Sequence, residues 1–421
     1  MTDSNPGGLG ALSRAARLAV LLAAFGGLVF DGLELGLMPV ASLSVSQSLL
    51  GAAYTPTLGG DWFARFTAAL MLGAAVGGIA LGNLGDRIGR ARAMGASILL
   101  YSIFAGLGAF VRTQEQMLVL RFFVGLGVGG VWPNAVALVA ECWPNAARPT
   151  LAGLMGAALN SGILLLSQLA RLWPITPDAW RWIFKLAAAP AVLGLLVLAA
   201  LPESPKWLAT RRAEKKPATP LRELFQPPLR RLTLVGILLG TIPLVGAWAA
   251  SKWMIPWADK VGGAALAGYK AQTQGWWALG AVLGSFTGGQ IAGWLGRRRS
   301  YFLISLGATL LTIAMFQFTA PLRPYFFPIV FAQGFVATLF FGWLPLYLPE
   351  LFPTRVRATG SGIAFNVGRF ATAGGVLAAG LLFTALGGSY PAVGAAGAMI
   401  YALGMIVIWW APDTAGKTLD D

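Results

Sequence analysis

One pattern of residues occurs twice, once in each half of the chain. The frame E-x-x-P-x-x-x-R at 141–148 returns 209 residues later at 350–357, and each copy lies between two long apolar stretches. A basic turn at 85–90 repeats in step with it at 292–297, offset by 207 residues. Repeats at matched positions indicate a duplicated chain whose two halves share one architecture.

Long apolar runs fill both halves. The chain is 57% hydrophobic and 11% charged, which is too little charge to cover a water-soluble surface. Runs of about 20 residues cross a hydrocarbon core of about 30 Å. The sequence therefore predicts an all-α membrane protein with twelve transmembrane helices in two pseudo-symmetric six-helix bundles, an architecture typical of secondary transporters. We place the helices near 16–40, 62–84, 93–111, 115–140, 149–170, 181–201, 231–256, 273–295, 300–319, 324–348, 358–384 and 389–411.

A proline-rich segment divides the chain near its centre. Six prolines alternate with charged residues between positions 202 and 230, and prolines at this density prevent one long helix. We therefore predict an N-terminal six-helix bundle at 1–201, a cytoplasmic linker at 202–230 and a C-terminal six-helix bundle at 231–421.

The basic residues are distributed unevenly. The formal net charge is +15, and most of the 31 Lys and Arg residues fall in the linker and in the turns on its side of the membrane. This asymmetry predicts that both termini are cytoplasmic. It accounts for the positive charge by topology and by contact with anionic lipid rather than by nucleic-acid binding. We expect a multi-pass monomer in the cell membrane, with the bacterial inner membrane as its location.

The residue types that enzymes and metal sites need are scarce. The chain has no histidine and one cysteine, and its carboxylates are scattered. The pattern gives no support for a metal site, a cofactor or a catalytic constellation. A channel is also disfavoured, because no filter-like sequence or ring of pore charges is present.

Four segments resemble known transporters. The segment 82–92, GNLGDRIGRAR, is similar to the signature loop between helices 2 and 3 of the major facilitator superfamily, and 202–208, PESPKWL, resembles the end of helix 6 in its sugar-porter and organic-ion branches. The segment 31–34, DGLE, and the segment 350–369 resemble the branches that carry sialic acid or aromatic acids with protons. The resemblance implies the major facilitator fold and transport by alternating access. The sequence departs from the pattern at Gly293, where the second signature loop lacks its acid.

The resemblance also implies a gate made of charged side chains at the cytoplasmic ends of the helices. Carboxylates and guanidinium groups in the basic turns would hold this gate shut while the cavity faces outward. Each exposed pair is weak, so a gate would depend on the group. The alternative is a set of topological anchors with incidental pairing. The residues assigned to the network are Asp86, Arg87, Arg90, Glu141, Arg148, Glu350 and Arg357.

Four ionisable residues lie within the predicted spans, where they are costly and functional by default. Asp31 and Glu34 share one face of helix 1 because they are three residues apart. At about 1.5 Å per residue, Asp31 and Arg121 lie about 8 and about 10 Å below the outer surface, so helices 1 and 4 can bring these charges together. Arg369 lies about 16 Å from the cytoplasm, near the midplane where substrates of such transporters bind.

These charges suit an anionic substrate and a proton. Arginine binds a carboxylate with two parallel hydrogen bonds, so Arg121 and Arg369 are predicted to bind substrate. Asp31 and Glu34 are predicted to carry the proton. The alternatives are a structural ion pair between helices 1 and 4, and exposure of Glu34 to solvent. Uncharged candidates for the substrate site, for which bonding between helices or membrane-surface placement is the alternative, are Asn160, Asn366, Gln168, Gln333 and Trp248.

The sequence thus favours a proton-coupled importer of a small organic anion: a monocarboxylate, a sugar acid or an aromatic acid. Uptake of a neutral sugar and export of a cationic drug remain the alternatives within transport. Two arginines within the membrane oppose a cationic substrate.

Overall fold

A computed structural model describes residues 12–143, 148–212, 221–353 and 356–414, and this part of the chain is almost entirely helical. The helices of the N-terminal half are α1 Arg14–Leu50, α2 Pro56–Ile88, α3 Arg90–Leu107, α4 Gln114–Cys142, α5 Arg148–Leu172, α6 Arg181–Leu186 and α7 Ala191–Ala200. Two short helices follow in the linker, α8 Pro205–Arg212 and α9 Leu221–Leu224. The C-terminal half contains α10 Leu229–Val245, α11 Met254–Gly262, α12 Tyr269–Leu295, α13 Arg297–Ile313, α14 Phe326–Glu350, α15 Arg357–Ala385 and α16 Tyr390–Val407.

Successive long helices run in opposite directions, so the molecule has two ends. We call the end with the turns at 88–90 and 295–297 the linker face, and the end with the turns at 51–55 and 387–389 the far face. At the far face, α2, α4 and α16 begin with side-chain caps from Thr55, Thr113 and Ser389. Thr113 and Gln116 form a reciprocal capping box at the start of α4, which satisfies two main-chain donors there.

Eleven of the predicted spans are long and apolar enough to cross a membrane, within the part of the chain that was described. The remaining one, predicted at 273–295, is α12, a helix of 27 residues with a lower apolar content. It packs against α14 in its own bundle and α5 in the other. Its small and polar residues therefore meet protein, which explains why it is less apolar than its neighbours.

The two halves meet along two pairs of helices. α5 lies against α12, and α2 lies against α15. The principal contacts within the N-terminal bundle are α2 with α4 and α3 with α4, and those within the C-terminal bundle are α12 with α14 and α10 with α15. The space between the bundles is therefore bordered by helices that occupy matched positions in the two halves.

Glycines allow α2 and α4 to approach closely. A methyl group at Gly73 or Gly77 would overlap a main-chain carbonyl of α4, and one at Gly125 or Gly129 would overlap a carbonyl of α2. Such reciprocal small-residue contacts are typical of membrane helix packing. Gly78 is different, because it faces the side chains of α15 in the other bundle.

The span formed by α10 and α11 is not a regular helix. A π-helical turn at Gly246–Ala250 and a 3₁₀ turn at Ser251–Trp253 separate its two parts. Such turns re-aim side chains relative to a regular helix and are frequent at functional sites. Trp248 and Lys252 both lie in this irregular stretch.

Candidate functional site

Glu34 and Arg121 form a buried ion pair. Arg121 Nη1 donates to Glu34 Oε2 at 3.1 Å, and Arg121 Nη2 donates to the Glu34 carbonyl at 3.4 Å. Glu34 is 0% and Arg121 is 1% exposed. The two charges therefore meet between α1 and α4, although the predicted depths had matched Arg121 with Asp31. The alternative of a solvent-exposed Glu34 is wrong.

Arg369 reaches from the C-terminal bundle into the N-terminal one. Its Nη1 donates to the main-chain carbonyl of Ala74 at 3.0 Å and, less closely, to that of Gly129 at 3.5 Å. Its partners are thus neutral carbonyls on α2 and α4. The absence of a lateral methyl group at Gly78 leaves the space that this side chain crosses.

Asp31 is buried beside this contact. It is 1% exposed, and its Oδ1 has no hydrogen-bond partner among the described residues. Arg369 of the other bundle lies near enough to interact with it electrostatically. The structure therefore places an incompletely bonded carboxyl group and a carbonyl-bonded guanidinium in the same region between the bundles.

Asn160 and Asn366 occupy matched positions on the two contacting helix pairs. Asn160 of α5 donates to the hydroxyl of Ser285 on α12 at 2.8 Å. Asn366 of α15 donates to the carbonyl of Gly362 at 2.9 Å, and its Oδ1 is buried beside Gly78 with no partner among the described residues. Both predicted residues lie between the bundles, and Asn366 keeps an acceptor free.

Gln333 lies in a polar network inside the C-terminal bundle. It accepts a hydrogen bond from Trp277 Nε1 at 2.7 Å and donates to the Ser251 hydroxyl at 2.5 Å and the Thr312 hydroxyl at 3.2 Å. Ser251 also bonds to Tyr401 at 3.1 Å. This network holds the Trp277 ring in place. Any effect of Gln333 outside the network is therefore exerted through the position of that ring.

The structure does not bring Gln168 to the other predicted substrate residues. Its side chain is exposed and lies in a shallow groove between α5 and α12, beside Arg171 and Trp276. Asn160 and Ser167 of α5 form hydrogen bonds with α12, whereas Gln168, one position further on, lies at the exposed edge of the same contact.

Lys252 is a buried cation that the sequence analysis missed. It is 1% exposed, and its Nζ has no hydrogen-bond partner among the described residues. The Nζ lies 3.3 Å from the centre of the Trp277 ring and 5.9 Å from that of the Trp248 ring. Its sequence position near the end of a predicted span is typical of a lysine that reaches the membrane surface. The sequence feature that could have revealed Lys252 is Trp248, which lies one helical turn earlier.

The far-face ends of the two bundles are packed together. Lys270 of α12 donates to Asp259 at 2.9 Å and to the Ser44 hydroxyl of α1 at 2.8 Å. The Trp253 ring packs against Phe63 of α2 with centroids 5.2 Å apart and against Phe383 of α15 at 4.9 Å. This closure consists of one polar bridge and an aromatic cluster.

The predicted gate residues of the first half form a network within the N-terminal bundle. Asp86 and Arg90 pair at 2.5 Å, and Arg90 lies 3.7 Å from Glu141. Arg87 is exposed, and the side chain of Arg148 lies outside the described part of the chain. Glu203 accepts hydrogen bonds from the main-chain N–H groups of Arg90 and Ala91 at the start of α3.

The gate residues of the second half repeat this arrangement. Arg297 pairs with Glu350 at 2.7 Å, and Glu350 also accepts from Thr414 at 2.6 Å. Arg357 Nε donates to the Phe352 carbonyl at 3.3 Å. Among the described side chains, the ion pairs of both networks join helices of the same bundle. A gate that joins the two bundles remains a hypothesis.

The fold and this site define a class of protein. Two bundles of membrane-length helices meet along matched pairs, with buried charges on the faces between them, which is the organisation of a major facilitator transporter. The chain belongs to the sugar (and other) transporter family, whose family model matches residues 19–238. It is a multi-pass membrane transporter.

Relatives and solved structures agree with this class. The cis,cis-muconate transport protein of Acinetobacter baylyi is 30% identical over 87% of this chain and 87% of its own length. The gallate transporter of Pseudomonas putida is 27% identical over 90% of each chain. The xylose transporter of E. coli, in a partially occluded inward-open conformation, has a TM-score of 0.73 at 17% identity and covers 96% of this chain and 100% of its own. That last likeness concerns the fold alone.

Proposed function

We propose that this transporter carries a small organic anion into the cell together with protons. The observation that supports this function most directly is the placement of opposite charge types on opposing bundles, the buried Asp31 and the half-buried Arg369. A carboxylate substrate would take the place of the neutral carbonyls on Arg369. A carboxylate adds the attraction of an opposite charge and can accept two parallel hydrogen bonds from the guanidinium, so the exchange would be favourable.

Asp31 is the proposed proton carrier. Its Oδ1 has no hydrogen-bond partner among the described residues, so a proton could bind this oxygen without displacing an existing hydrogen bond. Protonation would remove the negative charge that competes with the substrate for Arg369. Uptake of the proton and of the anion would then favour each other, as coupled binding requires.

Glu34 and Arg121 have a supporting role in this proposal. Their mutual bonds pair the two charges in a buried setting and join α1 to α4, although Glu34 Oε1 and Arg121 Nε have no hydrogen-bond partner among the described residues. Protonation of Glu34 would release Arg121 toward the substrate, so Glu34 is the second candidate for the proton. Asn366, with a free acceptor beside Arg369, is the proposed polar contact to substrate hydroxyl groups.

In the proposed orientation the linker face is cytoplasmic and the far face is extracellular or periplasmic. The distribution of basic residues supports this orientation. The packed far-face ends would then correspond to a state closed to the outside. We propose that the protein works as a monomer in the bacterial inner membrane, since the buried charges lie between the two bundles of one chain.

The relatives support an acid as the substrate. Two of them are named as transporters of muconate and gallate, which are carboxylates, and both relatives extend over most of this chain. A neutral sugar is the second candidate, because the family name includes sugars and the network around Gln333 offers hydroxyl and amide groups.

Uptake by reconstituted vesicles tests the function. The purified protein is placed in liposomes, and radiolabelled benzoate, gluconate, xylose and tetraphenylphosphonium are compared with and without an imposed inward proton gradient. The proposal expects accumulation of an acid that collapses when the gradient is dissipated. Accumulation of xylose but of neither acid would identify a sugar transporter. Movement of an acid that is indifferent to the gradient would remove the proton from the proposal.

A further inference from the structure

Lys252 lacks a counter-charge in a place where a free cation is costly. It is 1% exposed within a membrane span, and neither a carboxylate nor a carbonyl bonds to its Nζ among the described residues. A lysine in such a setting costs a few kcal/mol or more unless it is paired. The cation–π contacts offset part of this cost, but an aromatic face supplies no hydrogen-bond acceptor for the three N–H groups.

The aromatic rings around Lys252 are held in place by a hydrogen bond and by the backbone geometry of the span. The Trp277 ring that Nζ contacts is held in place by its own Nε1 hydrogen bond to Gln333 at 2.7 Å. Trp248 lies in the π-helical turn and is 8% exposed. Lys252 follows in the 3₁₀ turn, so the irregular backbone places the ammonium group and a ring from the same span together.

This group faces the region between the bundles. Trp248 and Trp277 belong to a hydrophobic cluster that contains residues of both bundles. Gln274, one turn before Trp277 on α12, donates to Ser167 of α5 in the other bundle at 3.2 Å. Trp277 therefore lies next to the contact between the bundles, while its Nε1 bonds inward to Gln333.

Lys252 and Arg369 lie at different depths along this region. Gly368, next to Arg369, packs against Thr241 and Leu244 of α10. Lys252 is eight residues beyond Leu244, so the two cations are separated by about 12 Å along the helix axis if the rise stays near that of an α-helix. Both side chains are long enough to shorten the gap between their charged ends.

We propose that Lys252, Trp248 and Trp277 form a second anion subsite, and that the substrate is a flat dicarboxylate. One carboxylate binds Arg369, the second binds the ammonium group of Lys252, and the planar body lies against the tryptophan rings. This inference rests on the proposed function, since it extends the anion site at Arg369. It narrows the substrate from any organic acid to one with a charge at each end.

Matched ligands test the subsite. Binding of terephthalate and of its monomethyl ester, which share one planar ring and differ by one charge, is measured by thermal shift and calorimetry on the purified full-length protein. We expect the wild-type protein to bind terephthalate at least about tenfold more tightly than the ester. The variant Lys252→Gln should lose this preference while keeping the affinity for the ester. Lys260→Gln, an exposed lysine of α11, is the control and should behave as wild type.

The possible outcomes separate failure of the second subsite from failure of the proposed function. Equal binding of both ligands by the wild-type protein overturns the second subsite but leaves an anion transporter, and this comparison needs no variant to fold. Preference for the diacid that survives in Lys252→Gln also overturns it. Binding of neither ligand by the wild-type protein, with stabilisation by neutral sugars instead, overturns both the subsite and the proposed function.

Discussion

The Arg369 guanidinium donates a hydrogen bond to the Ala74 carbonyl at 3.0 Å, although the two residues belong to different bundles and lie 295 positions apart in the chain. The acceptor is neutral and belongs to a helix that is already hydrogen-bonded along its length. The contact therefore joins the bundles without neutralising the arginine, which stays available to a charged ligand.

Arg369→Lys should weaken binding of an acid substrate by about tenfold or more, because a single ammonium group replaces a planar fork. Arg369→Ala should remove the thermal stabilisation that the acid gives, while the protein stays monodisperse. Thermal unfolding in detergent, with and without acid, measures both effects, and the exposed Arg112→Lys serves as control. Unchanged affinity in the alanine variant would make Arg369 structural and move the anion site to Arg121.

Asp31→Asn should abolish proton-driven accumulation and keep substrate counterflow, because counterflow needs binding and alternation without net proton movement. Both are measured in proteoliposomes. Asp61→Asn, whose carboxylate pairs with Arg65 at 2.7 Å near the far face, is the control and should retain accumulation. Full accumulation in Asp31→Asn would assign the proton to another group, with Glu34 next in order.

Glu34→Gln should destabilise the protein by about 3–5 kcal/mol, because the Arg121 charge is then left buried without its partner. The double variant Glu34→Gln with Arg121→Gln should recover part of this loss. Unfolding midpoints in detergent for the two single variants and the double variant measure the coupling. Strictly additive effects would show that the 3.1 Å contact contributes no coupling energy.

Gly78→Ala should slow transport, because the added methyl group would overlap Asn366 of the other bundle and lie 3.0 Å from Arg369 Nη1. Gly82→Ala lies one turn further along α2, where the nearest atom to a new methyl group, Pro133 Cγ, is 3.8 Å away. That variant is the matched control and should transport at the wild-type rate. Equal rates in both variants would exclude close approach at Gly78 as a requirement of the cycle.

Asp86→Asn should leave the fold intact and slow transport if the carboxylate belongs to a gate. The Asp86 side chain is 60% exposed, so loss of its pair with Arg90 should change the free energy of unfolding by about 1 kcal/mol or less. Uptake rates in vesicles are compared with those of the exposed variant Asp178→Asn. A wild-type rate in Asp86→Asn would remove the gate hypothesis.

The helices, and the approach of charged residues on α1 and α4, could be predicted from the sequence because both follow from length, whereas the choice of Glu34 rather than Asp31 as the partner of Arg121 could not. A helix formed by an apolar run of about 20 residues is long enough to cross a membrane, and the rise per residue gives the depth of a charged side chain. The prediction for Asn160 and Asn366 followed from the internal repeat, and the structure places both between the bundles.

Other parts of the site depend on packing that no local pattern records. The bond from Arg369 to Ala74 requires α2 and α15 to approach at Gly78, and a main-chain acceptor has no signature in the sequence. Lys252 was missed because a π-helical turn, not visible in the sequence, turns it away from the membrane surface. Gln168 was misplaced because a one-residue step around α5 separates the inner face from the outer one.

The aromatic closure at the far face, where Trp253 packs against Phe63 and Phe383, has a thermal consequence. Apolar contacts that exclude water weaken on cooling, whereas charge pairs at a wet surface change little. Opening of this end would expose the three rings to water and carry a positive heat capacity. Cold should therefore shift the resting protein toward the form open at the far face, and the transport rate should follow a curved rather than a straight Arrhenius plot.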